Sequence, residues 1–324
     1  MGPMSKEIVD LVIEYSNKNN SMGLIPSRRQ IENSGGYVNN WTTQDFSSYV
    51  REKNEAIVLV RDHGGPGQGQ GDDDGLESLC SDMNNNFDLL HIDPWKTSKS
   101  LDEGIKKTLS LIEYCCDKSD SVYFEVGTEE AIFSYSPRDL ERIIQELKKG
   151  LGSRFSRIKY GVVQSGVKIS GTKNIGMFDP DRLAKMTKIC RGYGLISKEH
   201  NGDYLTKNEI QERVAQGLDC INIAPEFGVM QTKLLLDTVF SKVDVEKAYE
   251  ACEKSKKYVK WIPEELRSNP PRILVIEVSG HYVFTQVPFS PSMKYITQSF
   301  RSLLHKRFDE IISLSLIHIS EPTR

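Results

Sequence analysis

Ala56-Ile57-Val58-Leu59-Val60-Arg61-Asp62-His63-Gly64-Gly65-Pro66 decides the fold. Five apolar residues in succession read as a strand buried on both faces, the mark of a parallel sheet. The run then stops on three charged or polar side chains and a Gly-Gly-Pro break. Similar runs begin near Gly23, Asp88, Val122, Lys159, Tyr193 and Asp219, so successive starts lie 26 to 37 residues apart. That interval holds one strand, one helix and two loops, and its repetition means parallel strands joined by crossover helices.

The helices carry their own boundary signals. Ser100-Leu101-Asp102-Glu103 and Thr206-Lys207-Asn208-Glu209 fit the capping box, and Ser136-Pro137 and Asp179-Pro180 place a capping oxygen before a first-turn proline. Gly150, Gly192 and Gly217 stand where left-handed C-terminal caps belong. Leu140, Ile143, Ile144 and Leu147 form one apolar stripe at helical spacing.

Seven such units predict an α/β fold, a TIM (β/α)8 barrel over residues 1–243 with an incomplete or rearranged first strand. The eighth strand has two candidate accounts: it was lost before Met4, itself a plausible initiator, since residues 5–18 read as a helix with no strand in front, or residues 272–278 close the ring from the C-terminal side. Residues 244–262 and 289–312 read as helices of a C-terminal extension, 244–312, acting as a cap or an interface. Residues 313–324 resemble a translated adapter remnant rather than native protein, so His318 is left out of the site.

Composition narrows the class. Apolar residues make up 38% and charged residues 27%, ordinary globular usage that argues against disorder. The longest apolar runs fall far short of the roughly 20 residues a membrane span requires. A net charge of -3 gives no global field for nucleic acid. Six cysteines without a C-x-x-C pair, and a charged N-terminal stretch, point to reduced thiols in a cytoplasmic protein.

In a parallel barrel the chemistry gathers where the strands end. Those ends read Ser27-Arg28-Arg29-Gln30, Arg61-Asp62-His63, His91-Ile92-Asp93, Glu125 through Glu130, Gln164-Ser165, Lys198-Glu199-His200-Asn201 and Asn222 through Glu226. Polar groups at every end would be costly in a closed core, and a functional mouth accounts for them together. His63 and His200 are the sharpest pair, either ligands to a divalent metal such as zinc or hydrogen-bonded site histidines. Asp93 or Glu129 would complete a mixed N/O shell. His91 reads as packing. Gly64 through Gly71 lacks both phosphate-loop patterns, and Asp72-Asp73-Asp74 follows it, so a mobile loop over the mouth is expected. Arg28 and Arg29 are candidates for gripping a phosphate or carboxylate, with Gln164, Glu199 and Asn222 as further substrate contacts.

From about Ile25 to Leu236 the sequence resembles the tagatose-bisphosphate aldolase family, specifically its barrel subunit usually described as non-catalytic. The resemblance rests on Gly35-Gly36-Tyr37 with Thr42-Thr43-Gln44-Asp45-Phe46, Asp62-His63-Gly64-Gly65-Pro66 and Gly127-Thr128-Glu129. It continues through Val162-Val163-Gln164-Ser165-Gly166 and Glu199-His200-Asn201-Gly202-Asp203-Tyr204. It implies a barrel acting on a ketose or ketose phosphate, with Asp62 as acid/base, His63 a metal ligand and His200 a second. Glu129 would assist the proton transfer. Where catalytic class II relatives have Val-His-Gly, this chain has Val163-Gln164-Ser165-Gly166. Two functions follow: metal-dependent aldolase-like cleavage or C4 epimerisation, or a non-catalytic subunit that stabilises a separate class II aldolase. The enzyme reading sets a condition. Asp62 and His63 are neighbours, which face opposite sides of a regular strand, so the strand must end or bend at Asp62.

Overall fold

The computed structural model describes residues 1–19, 22–69, 71, 73–284 and 290–315, with backbone alone at 290–294 and 313–315. Of the supposed tail, 313–315 continue the last helix, and 316–324 lie outside the described residues.

The strands in chain order are β1 (Gly23–Leu24), β2 (Val58–Gly64), β3 (Leu89–Ile92), β4 (Tyr123–Val126) and β5 (Ile158–Val163). A small antiparallel hairpin, β6 (Ile169–Ser170) and β7 (Lys173–Asn174), precedes β8 (Ile196–Glu199) and β9 (Cys220–Ile221). Outside the hairpin all pair in parallel as one seven-stranded sheet, β1-β2-β3-β4-β5-β8-β9. Every strand start predicted from sequence falls within three residues of the observed one.

Around the sheet run α1 (Lys6–Asn19), α2 (Thr43–Lys53), α3 (Leu76–Asn84), α4 (Leu101–Lys118), α5 (Pro137–Leu151), α6 (Pro180–Gly192) and α7 (Lys207–Ala215). After β9 come α8 (Pro225–Thr238), α9 (Lys242–Ser255), α10 (Arg272–Ser279) and α11 (Ser290–Ser315). Thr206 and Ser136 each accept from the third helical N–H in complete capping boxes. Ser100 accepts from Glu103, whose carboxylate takes the N–H of Lys99 rather than that of the cap. Two glycine caps sit two residues later than expected: Gly152 and Gly194 carry the positive φ, while Gly150 and Gly192 are still helical.

No eighth strand pairs with this sheet among the described residues. Residues 272–278, a candidate for closing the ring, form α10 instead. Pro271 sits just ahead of its first turn, where a missing N–H costs nothing. Val275, Ile276 and Val278 are buried as the helix packs on α8 and α9, while Ile273 faces out. The gap between the first and last strands is bridged by Met1 and Gly2, ahead of Met4. Ile25 N donates to Met1 O at 3.0 Å, the Met1 ammonium to Gly23 O at 2.7 Å, and Gly2 N to Ile223 O at 2.8 Å. A Cβ on Gly2 would stand 2.3 Å from that of Ala224, so the close approach requires glycine.

Strand alternation separates two interiors. Leu90, Ile92, Phe124 and Val126 face the helices and join the main core. Val60, Leu89 and Tyr160 face inward with Ile25 as a small separate cluster. Two residues further along the same face stand His91 and Glu125, and on β8 Lys198, then His200 just past its end. The barrel is thus apolar at its floor and ionisable above it.

Candidate active site

Strand β2 breaks its register beside β3 between Arg61 and Gly64. Arg61 opposes Leu90 and Gly64 opposes Ile92, leaving two residues where regular pairing has one. Such a bulge re-aims side chains. His63 takes a left-handed φ of 48°, uncommon for a residue with a Cβ, and its ring comes round to the same side as the Asp62 carboxylate. The condition set by the sequence is met.

Asp62, His63, His91 and His200 each offer an atom to one cluster, all within 4.8 Å of one another. Asp62 Oδ1 lies 3.8 Å from His91 Nδ1 and from His200 Nδ1, and Oδ2 lies 3.8 Å from His63 Nε2. These separations leave room for an ion between the donors. The opposite nitrogen of each ring is engaged: His63 Nδ1 with Asp93 Oδ2 at 2.5 Å, His91 Nε2 with Gly127 O at 2.9 Å, His200 Nε2 with Glu125 Oε1 at 2.7 Å. Fixing one imidazole nitrogen in this way orients the lone pair on the other toward a metal. His91 Nδ1 also accepts the His63 backbone N–H at 3.2 Å, so its lone pair is the most committed of the three. Three imidazoles and a carboxylate suit a divalent transition ion.

The support continues below. Lys198, buried inside the barrel, donates to Glu125, which therefore holds an ammonium and an imidazole at once. Burial alone would raise the Glu125 carboxyl, but Lys198 and the two imidazoles outweigh it and hold it well below the usual carboxylate range. Asp62 behaves alike: burial opposes its charge, and His63, His91 and His200 reverse the balance. For His63 the carboxylates of Asp62, Asp93 and Glu129 outweigh burial and raise its basicity, whereas burial wins at His200 and lowers it. At the rim Glu129 Oε2 lies 3.6 Å from His63 Nε2 and accepts from Asn201 Nδ2 at 2.7 Å. Asp62, His63 and Glu129 keep 14 to 17% of their side chains open while His91 and His200 keep at most 2%, so the cluster is reached from the Asp62–Glu129 side.

The other expected residues separate clearly. Asp93 stands behind His63 rather than in the cluster, held also by Gln68 Nε2 at 3.0 Å and Thr128 Oγ1 at 3.2 Å. Arg28 is not free to grip an anion, because Glu32, both oxygens of Asp73 and Gly65 O occupy its guanidinium. Arg29 is exposed, with one long contact to Gly69 O at 3.5 Å. The Gln164 amide is consumed by Tyr135 N, Thr128 O, Phe133 O and Arg182. Glu199 precedes His200 on the strand and so points outward, to Arg213 of α7 and Ser165. Asn222 Nδ2 reaches Asp62 Oδ1 at 3.4 Å. His91, expected as packing, joins the cluster, and Glu125 and Lys198 support it. Their signal was the two-residue period that sets 91 above 89 and 200 above 198. The Gly64–Gly71 loop lies over the site, Gln68 reaching down to Asp93 and Gly67 O taking Lys96 Nζ at 2.6 Å; Gln70 is outside the described residues.

No known protein family matches the chain, and no curated protein sequence does. Solved structures do. A probable tagatose 6 phosphate kinase from Sinorhizobium meliloti superposes with a TM-score of 0.67 at 17% identity, over 98% of this chain and 86% of the other. The fructuronate-tagaturonate epimerase UxaE from Cohnella laeviribosi gives 0.66 at 10% identity, over 97% and 80%. A fructose-bisphosphate aldolase from Campylobacter jejuni gives 0.54 at 13% identity, over 89% and 88%. The chain has a TIM-like α/β barrel fold. At such identities the likeness speaks for fold alone.

Proposed function

We propose that the chain is a metal-dependent enzyme performing aldol-type chemistry, C4 epimerisation or cleavage, on a ketose or ketose phosphate. The observation that carries this reading is the convergence of Asp62, His63, His91 and His200, with each imidazole backed on its far nitrogen. The sugar-enzyme names of the structural neighbours favour it, and the epimerase matches more of this chain than the aldolase does.

His63, His91 and His200 would hold the ion beside Asp62, and zinc suits a nitrogen-rich shell. A bound divalent cation supplies Lewis acidity toward a sugar carbonyl and its neighbouring hydroxyl oxygen. The two rim carboxylates do the proton work. Asp62, held ionised, can take a proton from a substrate hydroxyl, and Glu129, steered by Asn201, can carry one on the other side of His63. Gln68, from the loop that follows β2, donates to Asp93 and so steadies the carboxylate behind His63.

Titration of the metal-free chain with zinc or manganese tests the site directly. His63→Ala and His200→Ala should each remove binding while the thermal midpoint stays close to that of the parent, and turnover of ketohexose phosphates by the chain alone should vanish with the metal. A His63→Ala variant that unfolds like a core truncation, or a parent that binds no metal, would sink the reading. Activity only beside a separate class II aldolase would instead favour the stabilising-subunit role.

A further inference from the structure

A cleft of about 390 Å³ opens between the loop after β1 and the segment that follows α9. Arg29, Lys256, Lys257, Lys260 and Arg267 line it, with Tyr282 in its wall and no carboxylate among its lining residues. None of the five cations forms an ion pair among the described residues. In a chain with 45 acidic residues against 42 basic ones, these five exposed cations around one hollow concentrate positive potential and repel each other. An anion would relieve that repulsion.

The hollow is partly pre-shaped. The Lys260 ammonium sits 4.0 Å from the centre of the Trp261 ring and 6.0 Å from that of Tyr282. The Tyr282 hydroxyl accepts from Trp261 Nε1 at 3.1 Å, which leaves its own proton to donate. Crowding at the cleft wall and the neighbouring Arg29 lower the basicity of Lys260 against the opposing pull of Glu129, while much of the residue's surface stays open. A lysine in that position gains from any anion placed beside it.

The cleft is linked to the site through the loop after β2 and through charge. Glu129, whose charge Lys260 feels, stands 3.6 Å from His63 Nε2. Arg29 touches Gly69 O, in the same loop that covers Asp93 and the cluster. We infer that this cleft receives an oxyanion, a phosphoryl or carboxylate group at the far end of the sugar whose reacting atoms meet Asp62 and His63. The assignment of the anion to a substrate rests on the function proposed above; the anion site itself does not. It also gives the C-terminal extension a share in recognition, since four of the five cations belong to it.

Calorimetric titration of the full chain with inorganic phosphate and, separately, with glucuronate tests the assignment, alongside a manganese titration of the same samples. One of the two anions should bind, and Lys260→Gln with Arg267→Gln should weaken it at least tenfold. Lys260→Arg should retain it, and the exposed Lys188→Gln should leave it unchanged as a control for a surface cation lost elsewhere. Manganese binding should be the same in all of them. Absence of binding by either anion, or an equal loss in Lys188→Gln, would overturn the proposal. Anion binding without manganese binding would uphold the cleft and remove the metal reading, and the reverse would do the opposite.

Discussion

Glu125 is a carboxylate with two employers. One oxygen takes the His200 Nε2 proton and the other takes Lys198, so replacing it disturbs the orientation of a ring it supports from behind. Glu125→Gln keeps the shape but loses the charge that fixes His200. Metal affinity should fall about 10- to 100-fold, read by titration, with the circular dichroism spectrum unchanged. Full affinity in that variant would show that His200 needs no such support. The sequence displayed His63 and His200 because both stand in the polar stretch that closes a strand's apolar run. It placed Glu125 and Lys198 among the polar strand ends but gave neither a role, because what each does depends on its partner. That partner lies 73 residues away and becomes visible only when β4 and β8 face each other across the barrel.

At the scale of elements, β2 is fastened to α3 by a fully buried pair, Arg61 and Asp82, with two contacts of 2.6 and 2.8 Å. Arg61 also donates to Pro26 O and Ile31 O, tying down the loop after β1. Asp82→Ala would strand a guanidinium in the core and should cost about 3–5 kcal/mol of unfolding free energy in urea titrations. The double replacement Arg61→Met with Asp82→Leu should recover most of that loss. If the double variant is no better than the single one, the hydrogen bonds to the loop dominate. Strand positions were legible because burial on both faces leaves continuous apolar runs. Residues 272–278 have the same composition yet form a helix. Composition cannot tell a buried helix from a buried strand, and the place a closing strand would take is lined instead by hydrogen bonds of Met1 and Gly2. Gly150 and Gly192 misled for a simpler reason, since each is followed two residues later by another glycine that takes the left-handed turn.

Over the whole molecule, the last helix is anchored back on the barrel through charge. Arg307 of α11 pairs with Glu226 at the start of α8 and donates to Leu205 O at 2.7 Å. Beside them Asp203 accepts the N–H groups of Ala224 and Glu226, and burial, reinforced by the Glu226 charge, raises it from 3.8 to about 7. The folded state then holds a proton that the unfolded chain releases between about pH 4 and 7. This contribution is full below that window and lost as pH rises through it, by up to about 4 kcal/mol. Asp203→Asn, which keeps the accepting oxygen, should flatten the decline, measured as thermal midpoints at pH 5 and pH 8. An unchanged difference between the two pH values would assign it to other groups. None of this long-range charge economy could be read along the chain, whose barrel order was plain while the docking of α11 was not.

The extra residue in β2 makes length, more than chemistry, the fragile property of this stretch. A substitution at 62 or 63 removes one donor and leaves the rest in place. Excising a single residue between 58 and 64 would restore even pairing and swing Asp62 or His63 out among the surrounding helices. Homologous segments that preserve Asp-His but differ by one in spacing would therefore share the letters without sharing the site.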